Sequence, residues 1–179
     1  MINSEVLNDL LLYAPATGKL FWRVRDVRYF KTERASKIWN TRYAGKEAMT
    51  TRTKCGHLSG RVFDKGYLAH RIIWCLHYGD WPDGELDHVN GVPFDNRLKN
   101  LRSVTSSENS KNTSIPKHNT SGFMGVYKET YTGKWVGSAE SDGKRYKKRF
   151  DTIEQAILYR KQLDEKLGFH ENHGRSKPK

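Results

Sequence analysis

The stretch ELDHVNGVPFDNRLKNLRSVTSSEN, residues 85–109, limits the possible folds of this chain more than any other segment. ELDHV and LRSV are strand-length runs, and NGVPFDNRLKN between them is a polar loop with two turn signals. Thr105-Ser106-Ser107-Glu108 then matches a capping box, in which a hydroxyl and a carboxylate satisfy the first free N–H groups of a helix. A helix is therefore predicted to begin near Ser106. The order is strand, loop, strand, helix, with Asn109 in the first helical turns and facing back towards the strands.

The same stretch is rich in oxygen and nitrogen ligands. His88 has an ordinary pKa suited to a general base near neutral pH. Asp87 beside it is a hard anionic oxygen suited to Mg²⁺ or Mn²⁺, and Asn109 can add a neutral one. Such an ion takes only one or two protein ligands and fills its shell with water and substrate phosphate. Asn100 is expected to accept a hydrogen bond from the far nitrogen of His88 and so fix its tautomer. Taken on residue types alone, a solvated Asx-rich loop with an exposed histidine explains the stretch better than a phosphodiesterase site does.

Charge supplies the context. The 179 residues carry a formal net charge of +12. From Arg23 to Lys54 there are ten Lys or Arg against three Asp or Glu, and from Ser110 onward fifteen against eight. From Cys55 to Asn109 there are six against seven. Two basic blocks thus flank a near-neutral middle. A polyanion suits such blocks, because neutralising phosphates releases counterions; a basic surface kept for solubility leaves the spared middle unexplained. No apolar run approaches the roughly 20 residues of a membrane span, and no signal peptide opens the chain, so an intracellular, cytoplasmic protein is expected. Cys55 and Cys75 are isolated and expected to be reduced thiols. Cys55 with His57 has the wrong spacing for zinc.

The remaining segments read as short elements. Leu7, Leu10 and Leu11 fall at helical spacing before Ala14-Pro15 and Thr17-Gly18 break the pattern, and KLFWRV follows as a strand. The basic stretch through Thr53 reads as loops and short strands. RVFDKGYLAHRIIWCLHYG predicts a hairpin around Asp64-Lys65-Gly66 and a helix from His70 ended by Gly79. NSKNTSIPKHNTSG reads as an extended linker. GFMGVYK, KWVGSAE and RYKKRF are three strand-like runs joined by Thr132-Gly133 and Asp142-Gly143 turns. Thr152 and Gln155 cap a helix with Ile153, Ala156, Ile157, Leu163 and Leu167 on one face.

LDHVNGVPFDNRLKNLRSVTSSEN closely resembles the HNH endonuclease motif in its phage-type variant, in which asparagine replaces the last histidine. Asp87-His88, Asn90-Gly91, Asp95-Asn96-Arg97, Asn100-Leu101-Arg102 and Glu108-Asn109 fall in family order. YAPATGKLFWRV and GYLAHRIIWCLHYGDWP are similar to what precedes that motif in phage HNH proteins. The resemblance implies a ββα-metal finger with Asp87 and Asn109 as ligands of one divalent ion, His88 as general base and Asn100 as its orienting partner. Beside them, His70 can contact phosphate or make a structural hydrogen bond. Asp95 and Asn96 read as loop braces more than as ligands. Arg97 and Arg102 read as phosphate clamps or as plain surface charges.

SGFMGVYKETYTGKWVGSAESDGKRYKKRFDTIEQA resembles the ethylene-response-factor (APETALA-type) DNA-binding domain over roughly residues 119–168. That resemblance implies a sheet face in the DNA major groove, with Lys128, Lys134, Arg145 and Lys147 facing DNA. Trp135 lies either in the core or on the DNA face. The expectation is an α+β chain: an HNH nuclease domain over residues 1–112 with a basic DNA-contacting segment, a linker over 113–119, a DNA-binding domain over 120–170 and a basic tail over 171–179. It would be a divalent-metal-dependent endonuclease of the phage homing or nicking type, acting on double-stranded DNA without a membrane or a small-molecule cofactor. A monomer on DNA would nick one strand, and a dimer would be needed for a double-strand break. The rival is a non-catalytic DNA-binding regulator with a decayed nuclease domain.

Overall fold

The computed structural model describes residues 2–176, which fall into two compact units divided after Ser103. Both mix helices with small sheets, in agreement with the α+β expectation.

In the first unit, helix α1 (Ser4–Leu10) is capped by the Asn3 side chain, which accepts from the N–H of Val6 at 3.0 Å. Leu11, expected in this helix, instead starts strand β1 (Leu11–Ala14), which pairs antiparallel with β2 (Lys19–Trp22). Leu7, Leu10 and Leu11 are all buried, so the apolar pattern is satisfied across a change from helix to strand. A short β3 (Glu47–Ala48) extends the sheet on the far side of β2. A second small sheet contains β4 (Thr51–Arg52), β5 (Leu58–Val62) and β6 (Lys65–Leu68). Its β5–β6 turn is made by Phe63 and Asp64, both with positive φ, one residue earlier than Asp64-Lys65-Gly66 suggested. Helix α3 (Ala69–Tyr78) packs on β5 and β6 and on α1, and Gly79 in the left-handed region ends it as predicted. Leu7, Leu10, Leu11, Leu20, Val62, Ile72, Ile73 and Cys75 form the core.

The basic stretch after Arg23 departs most from expectation, because it contains helix α2 (Glu33–Tyr43). Its apolar periodicity is weak, and among its residues only Ser36 is buried. Local chemistry sets its ends: Thr32 accepts from the N–H of Ala35 at 3.1 Å, Glu33 lies in the first turn and Arg42 in the last. Asn40 ties it down, accepting from the N–H of Arg25 at 2.8 Å and donating to the Arg25 carbonyl at 2.9 Å.

Strand β7 (Glu85–His88) pairs with β8 (Leu101–Val104), as the sequence suggested. The second unit opens with helix α4 (Ser106–Ser110), whose capping box of Thr105 and Glu108 is formed in both directions. Residues 113–119, expected as an extended linker, are partly held inside this unit. The N–H of Ile115 donates to the Arg175 carbonyl at 2.9 Å, and the N–H of Gly174 to the Thr113 carbonyl at 2.8 Å. The expected basic tail thus begins as a structured segment, and its last three residues lie outside the described ones.

Strands β9 (Val126–Lys128), β10 (Trp135–Ser141) and β11 (Lys144–Phe150) form an antiparallel sheet in the order β11-β10-β9. Asp142-Gly143, both at positive φ, make the tight turn the sequence predicted. Helix α5 (Ile153–Lys166) lies against this sheet. A Cβ on Gly137 would come within 2.7 Å of the Ala156 carbonyl oxygen, so the helix approaches the sheet at that point. Sequence patterning did not reveal Arg160, which is buried on the packed face and donates to the Ser138 carbonyl at 2.6 Å.

Gly18 shows how closely the first unit is fitted. Its φ is +73°, and a Cβ there would lie 2.5 Å from the amide nitrogen of Arg97. Gly18→Ala should therefore cost roughly 2–3 kcal/mol, since both the backbone conformation and the contact oppose a side chain. A urea titration of the two proteins measures the difference.

Candidate active site

The loop between β7 and β8 is built on its own hydrogen bonds. Asn90 Nδ2 donates to Oδ2 of Asp95 at 2.8 Å, and Asn90 Oδ1 accepts from the N–H of Val92 at 2.9 Å. Gly91, at φ +67°, donates to the His88 carbonyl at 2.7 Å. Asn100 bridges the loop, accepting from the N–H of Asn90 at 2.9 Å and donating to the Asp95 carbonyl at 2.8 Å. Arg97 grips Asp95 through Nε at 2.7 Å and a terminal nitrogen at 2.5 Å. That contact holds the Asp95 carboxyl down to about 2, so it is ionised throughout the neutral range.

Asp87 and His88 end β7 and are both buried. His88 Nε2 meets Oδ1 of Asn96 at 3.0 Å. This corrects the expectation for Asn100, whose side-chain oxygen is used by the Asn90 amide; the side chain facing His88 Nε2 is Asn96. Asn96 is fully buried, and its backbone carbonyl accepts from the Tyr13 hydroxyl at 3.2 Å. The same hydroxyl accepts from the N–H of Leu98 at 2.9 Å. Strand β1 thereby fixes the histidine's partner. Tyr13 carried no signal in the sequence, because the contact spans most of the unit. Asn96 was legible as a loop brace, which it also is.

Arg102 is the second correction. It was read as a phosphate clamp or a surface charge, yet its Nε and a terminal nitrogen donate to Oδ2 of Asp87 at 2.9 and 2.7 Å. Arg97, read the same way, is likewise held by a loop carboxylate, with 40% of its side chain exposed. Asn109 sits in α4 of the second unit, where its N–H donates to the Thr105 carbonyl at 3.0 Å.

Three histidine rings gather at this end of β7. The His70 and His88 centroids are 5.1 Å apart, His57 and His88 5.5 Å, and His57 and His70 5.0 Å. His57, set aside in the zinc question, is therefore a neighbour of the base candidate. Burial lowers the pKa of all three, and of His70 to about 3, with the other histidines adding to the effect there. For His88, the Asn96 contact and the Asp87 and Asp95 carboxylates act in the opposite direction. All three rings are thus neutral at physiological pH. His70 Nδ1 is buried and has no hydrogen-bond partner among the described residues.

An HNH site implies a divalent ion, and the donors present fit one. Asp87 offers a buried ionic oxygen at the end of a strand, beside a neutral imidazole. Among the described residues no group of three or more His, Cys, Asp or Glu could hold a metal. Mg²⁺ needs only one or two carboxylates, so one aspartate with a neutral oxygen donor suffices.

The candidate DNA-facing residues of the second unit divide between two faces of the sheet. Lys128 lies opposite Trp135, which alternates with Gly137 on the side covered by α5. Arg145 and Lys147 lie opposite Glu140 and Ser138, on the other face. Expectation had placed all four on one DNA-facing surface. Lys147 is paired with Glu129 at 2.9 Å, and Lys134 precedes β10 in an ion pair with Asp151 at 3.0 Å. Arg149 and Lys147 hold the Glu129 carboxyl well below the usual carboxylate range.

Comparison with known proteins follows this geometry. The HNH endonuclease family matches residues 67–111, which contain α3, the β7–β8 loop and α4. The chain is also 35% identical to Protein 3.8 of Escherichia phage T7 over 102 residues, covering 56% of this chain and 84% of that protein. The chain belongs to the HNH endonuclease family. No solved structure matches it significantly. Among the described residues, no helix is long and apolar enough to cross a membrane. Membership of this family implies DNA as the substrate. The corrected Asn96 contact and the Asp87–Arg102 pair both lie within the matched residues.

Two outcomes follow from the histidine cluster. The folded state holds His70 neutral, whereas the unfolded chain takes up a proton near pH 6.5. Stability should therefore fall as pH drops below about 6.5, by up to about 1.4 kcal/mol per pH unit for this residue. Denaturant melts of the parent and His70→Asn between pH 7 and pH 5 should show the slope flattened in the variant. Asn96→Asp should place a carboxylate against His88 and raise its pKa. The acid limb of the pH–rate profile would then move to higher pH, a displacement that simple destabilisation would not produce.

Proposed function

We propose that this chain is a divalent-metal-dependent DNA endonuclease of the homing or nicking type. The observation that carries the reading is the buried His88–Asn96 contact beside Asp87, inside the HNH segment. With the Asn96 oxygen as acceptor, Nε2 of His88 holds the proton and Nδ1 carries the lone pair. Burial keeps that lone pair available at neutral pH. Nδ1 then takes the proton of the attacking water, while the Asn96 contact holds the ring in one orientation.

Asp87 is the proposed carboxylate ligand of one Mg²⁺ or Mn²⁺ ion, with Asn109 as the second ligand on its place in the motif. When bound, the ion supplies positive charge at the scissile phosphate and the leaving oxygen. Arg102 donates to Asp87 in the structure; were an ion to take over that carboxylate, its donors would be free for phosphate. Asn100 contributes by closing the loop rather than by touching the base. A single site nicks one strand, and two copies are needed to cut both.

The second unit is proposed as the target-binding module of the ethylene-response-factor type. Its sheet offers Arg145, Lys147 and Arg149 on the face away from α5. Arg145→Ala should cost roughly 1–3 kcal/mol on target DNA if it reads a base edge, and should relax preference at that position. A uniform loss on target and scrambled duplex would make it a phosphate contact.

The central test is cleavage of supercoiled plasmid with Mg²⁺ or with chelator. Parent protein should convert it to the nicked form only with metal. His88→Ala should be slower by roughly 10²–10⁴-fold, and Asp87→Ala should lose its response to metal. Parent-like cleavage by the His88 variant would assign the base to another residue.

A further inference from the structure

Arg25 lies in the basic stretch for which the nuclease reading has no specific role, and its surroundings are unusual for a cation. It is 8% exposed, and its guanidinium carbon lies 3.9 Å from the ring centre of Trp39. Trp22 and Phe63 follow at 5.3 Å each and Phe30 at 5.7 Å. Its Nε is buried without a hydrogen-bond partner, and no ion pair to its guanidinium occurs among the described residues. Meanwhile Asn40 pins the Arg25 backbone at both its N–H and its carbonyl. A buried Nε–H without an acceptor is costly, and here the backbone that carries it is held in place.

The guanidinium borders a cavity of about 540 Å³ lined by Trp22, Tyr29, Phe30, Trp39, Tyr43 and Phe63 together with Arg61 and Asp64. This volume is in the range of small-ligand sites. The rings are half-buried, and Phe63 at the β5–β6 turn is 40% exposed. The cavity shares no residue with the histidine cluster.

These features select the ligand. A methylammonium or lysine side chain would normally enter an aromatic cage, but Arg25 already lies over Trp39 at 3.9 Å and would repel a second cation. The occupant must present a flat π surface to the rings and acceptor atoms to Arg25. Arg61 and the ten basic residues between Arg23 and Lys54 favour a negative ligand. Asp64 adds one carboxylate, which can accept from a ring N–H or an amino group but not from phosphate. A nucleotide has all of these parts: a π face, carbonyl and ring-nitrogen acceptors, N–H donors and a phosphate.

We propose that the cavity bounded by Trp22, Phe30, Trp39, Phe63 and Arg25 binds a single unstacked nucleotide of the DNA substrate. The base lies against the rings, and its acceptor atoms or its phosphate satisfy Arg25. The proposal rests on the reading that this chain acts on DNA. It adds a preference for sites where one base has left the stack, because a bulged or unpaired base enters without the cost of disrupting a pair.

The test uses full-length protein in chelator and two duplexes, one fully paired and one with a single bulged 2-aminopurine. The bulged duplex should bind at least roughly tenfold more tightly, which is within the range of one stacked base. Its 2-aminopurine fluorescence should be quenched on binding. Phe63→Ala, at a ring that is 40% exposed, should reduce both the preference and the quenching, with circular dichroism checking its fold. Arg25→Met should do the same, with circular dichroism checking its fold. Equal affinity for the two duplexes without quenching would overturn the proposal, as would displacement of the probe by a trimethyllysine peptide. Cleavage of the paired duplex in Mg²⁺ is read separately. Quenching without cleavage would count against the nuclease reading alone, and cleavage without quenching against the cavity alone.

Discussion

The site depends on the way Asn100 closes its loop. One side chain accepts from the backbone of Asn90 and donates to the backbone of Asp95. Those two bonds fix the ends of a segment that has no regular secondary structure until the short 3₁₀ turn at Leu98–Asn100. Asp95 can then be gripped by Arg97, and Asn96 can turn inward. With Asn96 inside, its Oδ1 meets His88 Nε2. Each polar group in this sequence of contacts is satisfied by the next, which is how a buried polar network can hold one geometry.

Electrostatics then separates the tasks of similar residues. Asp95 is locked as an anion by Arg97 and serves the loop. Asp87 is buried beside a neutral ring and answers to Arg102. The three histidines are kept uncharged by burial, to which neighbouring histidines add at His57 and His70. In the second unit, Glu129 draws Lys147 and Arg149 together on the outer face of the sheet.

Local signals were legible in the sequence wherever an element's boundary had its own chemistry. The Thr105 and Thr152 capping boxes, the Asp142-Gly143 turn, the Gly79 stop and the two strands around the polar loop all appear where their residues suggest. Helix α2 was not legible, because its cap is a single threonine and its tether, Asn40, acts on a residue fifteen positions away. Leu11 was assigned to the wrong element because a buried leucine satisfies either period. At the site, the sequence named Asp87 and His88 and put both at the end of a strand. It attached Asn100 to the histidine, although three asparagines in one loop were available and the tertiary contact of Asn96 with Tyr13 could not be read from the sequence. The same limit hid the histidine trio, whose members come from three separate elements.

The Asp87–Arg102 pair bears on how the chain folds. A buried carboxylate left alone would repel its surroundings, and in many small metal-binding modules the ion itself removes that penalty, so they unfold when stripped. Here a side chain of the neighbouring strand already balances the anion. The fold around Asp87 is therefore complete in itself: the buried charge that an ion would otherwise offset is already balanced within the polypeptide.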